Sequence, residues 1–189
     1  MGRWAPDSRG RLQEAALALY SERGFDQTTA AEIAARAGVT ERTFFRHFAD
    51  KREVLFGGSA VLGERIVDGV RAAPDGAGPF DAVAGGLRAA AQLLGEGRRD
   101  LAAQRLAVIT ANPELHEREL SKLADYAAAV TATLCQRGAG ELQASLAAEA
   151  GMTVFRVAFQ RWASGDDARD LPEVMQAALD ELRAVAAGD

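Results

Sequence analysis

Four polar residues between positions 40 and 48 have the types and spacing of a nucleic-acid contact. On a helix, Arg42 and Arg46 lie one turn apart, and Thr43 and His47 occupy the adjoining arc. Guanidinium groups donate hydrogen bonds to guanine edges or to phosphates. His47 could instead be a partly buried spacer. Three aromatic residues fall on the opposite side and are predicted to pack inward: Phe44, Phe45 and Phe48.

Further candidate contacts flank this segment. Lys51 and Arg52 lie at a predicted helix N-terminus, where backbone amides and the helix dipole favour a phosphate. The hydroxyl groups of Thr28 and Thr29 could donate to phosphate oxygens. Glu41 would repel phosphate, so it is interpreted either as a cytosine reader or as a solvated side chain.

Two short helices and a turn are predicted to position these residues. Thr29 and Glu32 form a capping box that begins a helix over residues 30–36, so Thr29 also has a purely structural interpretation. Gly38 breaks this helix, and Thr40 caps a second one of about nine residues, which spans roughly 13 Å. A major groove is about 12 Å wide and admits such a helix. The pattern is that of a helix-turn-helix.

The whole chain is predicted to be helical, because strong helix formers dominate it and alternating strand patterns are absent. A Pro/Gly-rich stretch over residues 74–79 indicates a linker. Apolar periodicity and capping residues predict helices over residues 8–23, 30–36, 40–48, 50–72, 80–95, 98–111, 113–137, 141–164 and 171–187.

Composition excludes several classes of protein. The chain has 189 residues, of which 48% are hydrophobic and 26% charged, so a packed core can form. One cysteine, Cys135, forms no intramolecular disulfide, and two histidines with one cysteine do not make a zinc site. We find no apolar run of about 18 residues and no signal-peptide pattern. We therefore expect a cytoplasmic protein that has no membrane partner, metal or cofactor.

The net charge of −5 argues weakly against a nucleic-acid partner, but it is unevenly distributed. Residues 1–56 carry nine basic and eight acidic side chains, whereas residues 57–189 carry 13 basic and 19 acidic side chains. Within residues 36–52 there are five basic and two acidic side chains. This asymmetry indicates a slightly basic segment followed by an acidic one with a different partner.

The motifs over about residues 10–56 strongly resemble the TetR/AcrR family of transcriptional regulators. The resemblance is carried by residues 24–29 (GFDQTT), 33–40 (IAARAGVT), 43–48 (TFFRHF) and 51–55 (KREVL). The rest of the chain matches this family only in length and helical pattern. The resemblance implies an all-α homodimeric repressor that leaves its operator when a small molecule binds.

The resemblance also implies roles for individual residues. Thr29, Phe45 and Lys51 align with positions that usually touch phosphates, and the base-facing positions are Glu41, Arg42, Thr43 and His47. Phe45 departs from the usual tyrosine, so it lacks a phosphate hydrogen bond. Arg42 replaces a small residue and should change the preferred operator. The complete set of predicted DNA contacts is Thr28, Thr29, Thr40, Glu41, Arg42, Thr43, Phe45, Arg46, His47 and Lys51.

Two domains are predicted. Residues 1–56 form a three-helix DNA-binding domain, and residues 57–189 form a helical bundle for ligand binding and dimerisation. The resemblance implies that the dimer forms through the last two helices. Bundle helices build ligand sites from apolar and aromatic side chains. The predicted pocket residues are Leu87, Leu106, Ile109, Tyr126, Val130, Phe155 and Phe159. Arg105 and His116 could orient a polar group of the ligand, or could be solvated.

Other functions fit the sequence less well. An enzyme is disfavoured because the sequence contains no HExxH motif, nucleophile elbow, Walker loop or dinucleotide fingerprint. Glu114, His116 and Glu117 lack the spacing of a di-iron bundle. A helical binding protein without DNA activity would leave the basic helix unexplained. The sequence does not separate a repressor from an activator or from a regulator without an effector.

Overall fold

The computed structural model describes residues 7–95 and 99–188, which form α-helices and a short 3-10 helix without a strand. The all-α prediction is confirmed. The α-helices are α1 (Ser8–Arg23), α2 (Ala30–Arg36), α3 (Glu41–His47), α4 (Ser59–Arg71), α5 (Pro79–Gly95), α6 (Arg99–Ala111), α7 (Pro113–Gln136), α8 (Glu141–Ala163) and α9 (Leu171–Ala187). The helix predicted over residues 98–111 corresponds to α6, and its predicted first residue, 98, lies outside the described residues.

One predicted helix is wrong. The segment 50–72 is not continuous: a 3-10 helix spans Glu53–Phe56, and α4 begins only at Ser59. The three consecutive residues 54–56 are all buried, which one face of a regular α-helix does not allow. Gly57 and Gly58 follow, and two adjacent glycines are costly to order in a helix.

The first compact unit contains residues up to 59 together with residues 104–119. Its core joins α1, α2, α3 and the 3-10 helix to the end of α6 and the start of α7. Fully buried members include Leu12, Ile33, Phe44, Ile109 and Leu115. The predicted division had placed all of residues 57–189 in one domain, whereas the contacts group residues 104–119 with the helix-turn-helix.

The second compact unit contains residues 60–103 and 120–189, and its most closely packed helices are α5, α8 and α9. Glycine permits the closest approaches. A Cβ on Gly69 would lie 2.6 Å from the Cα of Gly86, and one on Gly151 would lie 2.3 Å from a methyl group of Val83. The backbones of α4 and α5 therefore touch directly. Across the described part of the chain, every helix is too short or too polar to span a lipid bilayer.

Candidate nucleic-acid interface

Helix α3 is fixed from one side by two aromatic residues. Phe44 is completely buried and Phe48 is 4% exposed, with their ring centroids 5.7 Å apart. At the N-terminus of α3, the Thr40 hydroxyl accepts a hydrogen bond from the backbone amide of Thr43 at 3.2 Å. This cap and the buried rings stabilise a helix that is too short to be stable alone.

The opposite side of α3 is exposed and carries Glu41, Arg42, Phe45 and Arg46. The prediction that Phe45 packs inward is wrong, because its side chain is 52% exposed. Its ring meets only the edge of Phe44, at 5.3 Å between centroids and 82° between planes. The exposed face therefore combines one acid, one aromatic ring and two cations.

Arg42 and Arg46 have no hydrogen-bond or ion-pair partner among residues 7–95 and 99–188. Other basic residues nearby are paired. Arg36 donates two hydrogen bonds to Glu22, both 2.6 Å, and these bonds hold the pKa of that carboxyl below its ordinary value. Arg52 lies 2.7 Å from Asp50 and lowers the pKa of Asp50 in the same way. Between residues 36 and 52, the guanidinium groups of Arg42 and Arg46 therefore remain available to an external partner.

Lys51 does not present its ammonium group as predicted. Its Nζ donates to the carbonyl oxygens of Phe25 at 2.8 Å and Thr28 at 3.0 Å, and it lies 3.4 Å from that of Asp26. An ammonium group has three donors, so these contacts use its capacity. Lys51 therefore joins the α1–α2 loop to the segment after α3 instead of extending toward a phosphate.

The two threonines before α2 differ. Thr28 is 1% exposed and its hydroxyl donates to the Gly24 carbonyl at 2.9 Å, so its prediction as a DNA contact is wrong. Thr29 is exposed and completes the predicted capping box with Glu32. The backbone amide and hydroxyl of Thr29 both lie 2.9 Å from the Glu32 carboxylate and lower its pKa.

Thr43 and His47 are half-buried, and His47 lies against the start of α1. His47 Nε2 shares a hydrogen bond of 2.8 Å with Ser8 Oγ at the start of α1. The hydroxyl groups of Thr43 and Thr40 lie 3.0 Å apart and share another. His47 thus behaves as the partly buried spacer that the sequence left open, and it helps to orient α3.

Sequence reasoning missed the role of Tyr20. This residue is 3% exposed, its hydroxyl donates to the Lys51 carbonyl at 2.5 Å, and its ring packs edge-on against Phe25 at 5.2 Å. Burial raises the pKa of Tyr20 above its ordinary value, with a smaller effect of Asp50. A tyrosine on the apolar face of α1 was the available signal, because a buried hydroxyl requires a partner.

Arg105 is not a ligand-orienting or freely solvated residue. It donates to the Leu55 carbonyl at 3.0 Å, pairs with Glu119 at 3.1 Å and lies 5.2 Å from the ring centroid of Phe56. Nearby, Arg118 lies 2.5 Å from Glu53. These contacts hold residues 104–119 against the 3-10 helix. His116, the other predicted polar group, is exposed.

The seven predicted pocket residues do not all lie in the same compact unit. Ile109 belongs to the core of the first unit, and Leu106 lies in the same unit, so these two are separated from the other five. The remaining five lie in the second unit, four of them buried and Phe159 half-buried: Leu87, Tyr126, Val130, Phe155 and Phe159. A cavity of about 310 Å³ in the second unit is lined instead by the 75–79 loop and by residues between 134 and 143.

Comparison with known families agrees with this fold. The family described as "Bacterial regulatory proteins, tetR family" matches residues 12–56, and the "MftR C-terminal domain" matches residues 77–187. The chain therefore belongs to the TetR family of bacterial regulatory proteins. The resemblance found in the sequence is confirmed.

Individual relatives cover different shares of the chain. The HTH-type transcriptional regulator TcmR of Streptomyces glaucescens is 37% identical over 82 residues, which is 43% of this chain and 36% of TcmR. The match thus spans about a third of that curated relative.

Solved structures are similar over most of the chain. The triclosan complex of SmeT, the repressor of a Stenotrophomonas maltophilia efflux pump, covers 94% of this chain and 90% of its own, with a TM-score of 0.66 and 19% identity. The Thermus thermophilus repressor FadR with lauroyl-CoA covers 94% of this chain and 93% of its own, with a TM-score of 0.51 and 27% identity.

Proposed function

We propose that this chain binds a palindromic DNA operator as a homodimeric repressor and that a small molecule releases it. The observation that carries the proposal is the exposed face of α3, where Arg42 and Arg46 have no partner among the described residues while Phe44 and Phe48 fix the helix. The proposed DNA contacts are Thr29, Thr40, Glu41, Arg42, Phe45 and Arg46. Thr43, His47 and Lys51 are proposed to position α3.

A dimer is supported by the size of α3 and by exposed apolar residues. A seven-residue helix reads few base pairs, so two copies about 34 Å apart are needed for a useful site. Large apolar side chains are exposed on the last two helices: Leu142 at 75%, Leu146 at 63%, Val157 at 46% and Val185 at 65%. A two-fold axis would bury the same patch on both subunits.

An apolar effector in the second unit is supported by its buried residues and by two similar structures. Leu87, Val130 and Phe155 are buried apolar side chains on α5, α7 and α8, and they are proposed to surround the effector. SmeT carries triclosan and the T. thermophilus FadR carries lauroyl-CoA. We accordingly propose that residues 1–56 read DNA and that the bundle responds to an apolar ligand. Activation of transcription, or regulation without an effector, is the alternative.

Selection of genomic fragments by the purified protein tests the proposal. Affinity for a selected fragment is then measured by fluorescence anisotropy across a salt series for wild type, R42A/R46A and the control R65A/R71A. The control removes two exposed arginines from α4. If both α3 arginines of each subunit contact phosphates, R42A/R46A lowers the salt slope of the dimer by about 3.6, since four contacts are lost and each contributes about 0.9.

Two outcomes contradict the DNA proposal. One is the absence of any enriched fragment. The other is wild-type affinity of R42A/R46A at about 150 mM salt, where phosphate contacts still dominate nonspecific affinity. Repression is tested separately by placing the selected operator upstream of a reporter gene. Higher reporter expression in the presence of the protein would indicate an activator.

A further inference from the structure

The fold does not explain the exposure of Phe45. Phe44 and Phe48 already fill the space between α3 and the core, and Phe45 adds only an edge contact with Phe44. Just over half of its side chain, 52%, is exposed to water. A large apolar ring on a short, otherwise charged surface indicates a contact that is made in a complex.

The neighbours of Phe45 specify the chemistry of that complex. Arg42 precedes it by three residues, so it lies next to Phe45 on the helix surface, and Arg46 is the following residue. Both guanidinium groups lack partners within the described chain. A partner that fits the three side chains must offer negative charge close to a small apolar group. Duplex DNA offers this in the major groove, where the 5-methyl group of thymine projects among phosphates and base edges.

We propose that Phe45 contacts the 5-methyl group of one thymine in each half-site and thereby determines sequence preference at that position. This inference rests on the proposed function, because it requires α3 to enter the major groove. A phenyl ring has no hydrogen-bond donor, so Phe45 does not bind a phosphate oxygen. Its contribution is the removal of the methyl group and part of the ring from water.

Deoxyuridine differs from thymidine only by this methyl group, so it tests the contact directly. In the selected operator, each symmetric pair of thymines is replaced by deoxyuridine, one pair at a time, and affinity is measured by fluorescence anisotropy. Wild type should lose affinity at one pair by roughly fourfold per half-site, or about 15-fold for the dimer, since burying one methyl group gives this factor. F45A should bind the thymine and deoxyuridine operators equally.

Two further variants separate this contact from general damage to the interface. R42A should bind all operators more weakly while retaining the discrimination against deoxyuridine. F45Y keeps the ring and should also discriminate. Because Phe45 makes only an edge contact with Phe44, F45A should unfold within a few degrees of the wild-type midpoint, so a loss of discrimination in the folded protein reports on the contact.

The outcomes distinguish this inference from the proposed function. Failure to enrich any DNA contradicts both. An enriched operator without a deoxyuridine-sensitive position overturns only the thymine contact. Discrimination that persists in F45A also overturns it, because another side chain would then touch the methyl group. One sensitive pair in wild type and none in F45A supports it.

Discussion

The ammonium nitrogen of Lys51 lies 4.2 Å from the ring centroid of Phe25 and 2.8 Å from the carbonyl oxygen of the same residue. The Lys51 carbonyl in turn accepts a hydrogen bond from the hydroxyl of Tyr20, whose ring packs against Phe25. Three residues from α1, the following loop and the segment after α3 thus form one contact group. This group fixes both ends of the helix-turn-helix, so Lys51 stabilises the fold that presents α3.

Replacing Lys51 by methionine should lower the free energy of unfolding by about 2 kcal/mol, because charged hydrogen bonds to buried carbonyls are removed together with a cation–π contact. Urea denaturation measures this loss. The salt slope of DNA binding should stay at the wild-type value when measured on folded protein. R65M replaces an exposed arginine of α4, and this control should be neutral. A flatter salt slope with unchanged stability would instead indicate that Lys51 contacts phosphate.

Alkaline pH should destabilise the chain partly through Tyr20. Burial raises the pKa of Tyr20 in the folded state above the ordinary value of 10.0, so the unfolded chain loses this proton first. The resulting stability is fully present below about pH 10 and declines as the pH rises further. The urea midpoint is measured at pH 8 and above pH 10. Between these two pH values it should fall further for wild type than for Y20F. Equal pH dependence would show that Tyr20 ionises normally in the folded protein.

Y20F should also be less stable than wild type at neutral pH, by about 1 kcal/mol, because the Lys51 carbonyl loses its donor. The ring remains, so the packing against Phe25 is preserved. This separates the hydroxyl group from the aromatic contact. A Y20L variant removes both and should be less stable than Y20F. If Y20F matched wild type at pH 7, water would be replacing the hydroxyl group at no cost.

The sequence predicts helices much better than it predicts the direction of side chains. Capping residues and apolar periodicity determine α1 and α2 locally, and both predictions match the observed bounds. The direction of Lys51 depends on carbonyl groups more than 20 residues earlier, which no local pattern encodes. Phe45 was placed near the edge of the apolar arc, where a small rotation of the helix decides between core and solvent.

Ile109, a predicted pocket residue, shows that local sequence patterns also do not determine which core a buried side chain joins. Its apolar neighbours on α6 are compatible with packing against any nearby helix, and only the tertiary contacts assign it to the first unit. I109A should therefore cost about 3 kcal/mol by creating a cavity there. Hydrogen exchange should show faster opening of α1 and α2 in I109A.

V130A is the matched control in the second unit, where Val130 is fully buried. It should accelerate exchange in the helices of that unit and leave α1 and α2 unchanged. The same exchange pattern in both variants would contradict the assignment of Ile109, because it would mean that one cooperative core contains both residues.

The exposed leucines of α8 give the last prediction. Leu142 and Leu146 are four residues apart and 75% and 63% exposed, so they form a continuous apolar strip on one side of the helix. In the proposed dimer, L142E/L146E would place charges against the same patch of the partner and should yield monomers by analytical ultracentrifugation. Operator affinity should fall with dimerisation, because one α3 reads too few base pairs alone. The control V61E changes an exposed apolar residue of α4 and should remain dimeric. A dimeric L142E/L146E variant would place the interface elsewhere, whereas a monomeric wild type would contradict the dimer itself.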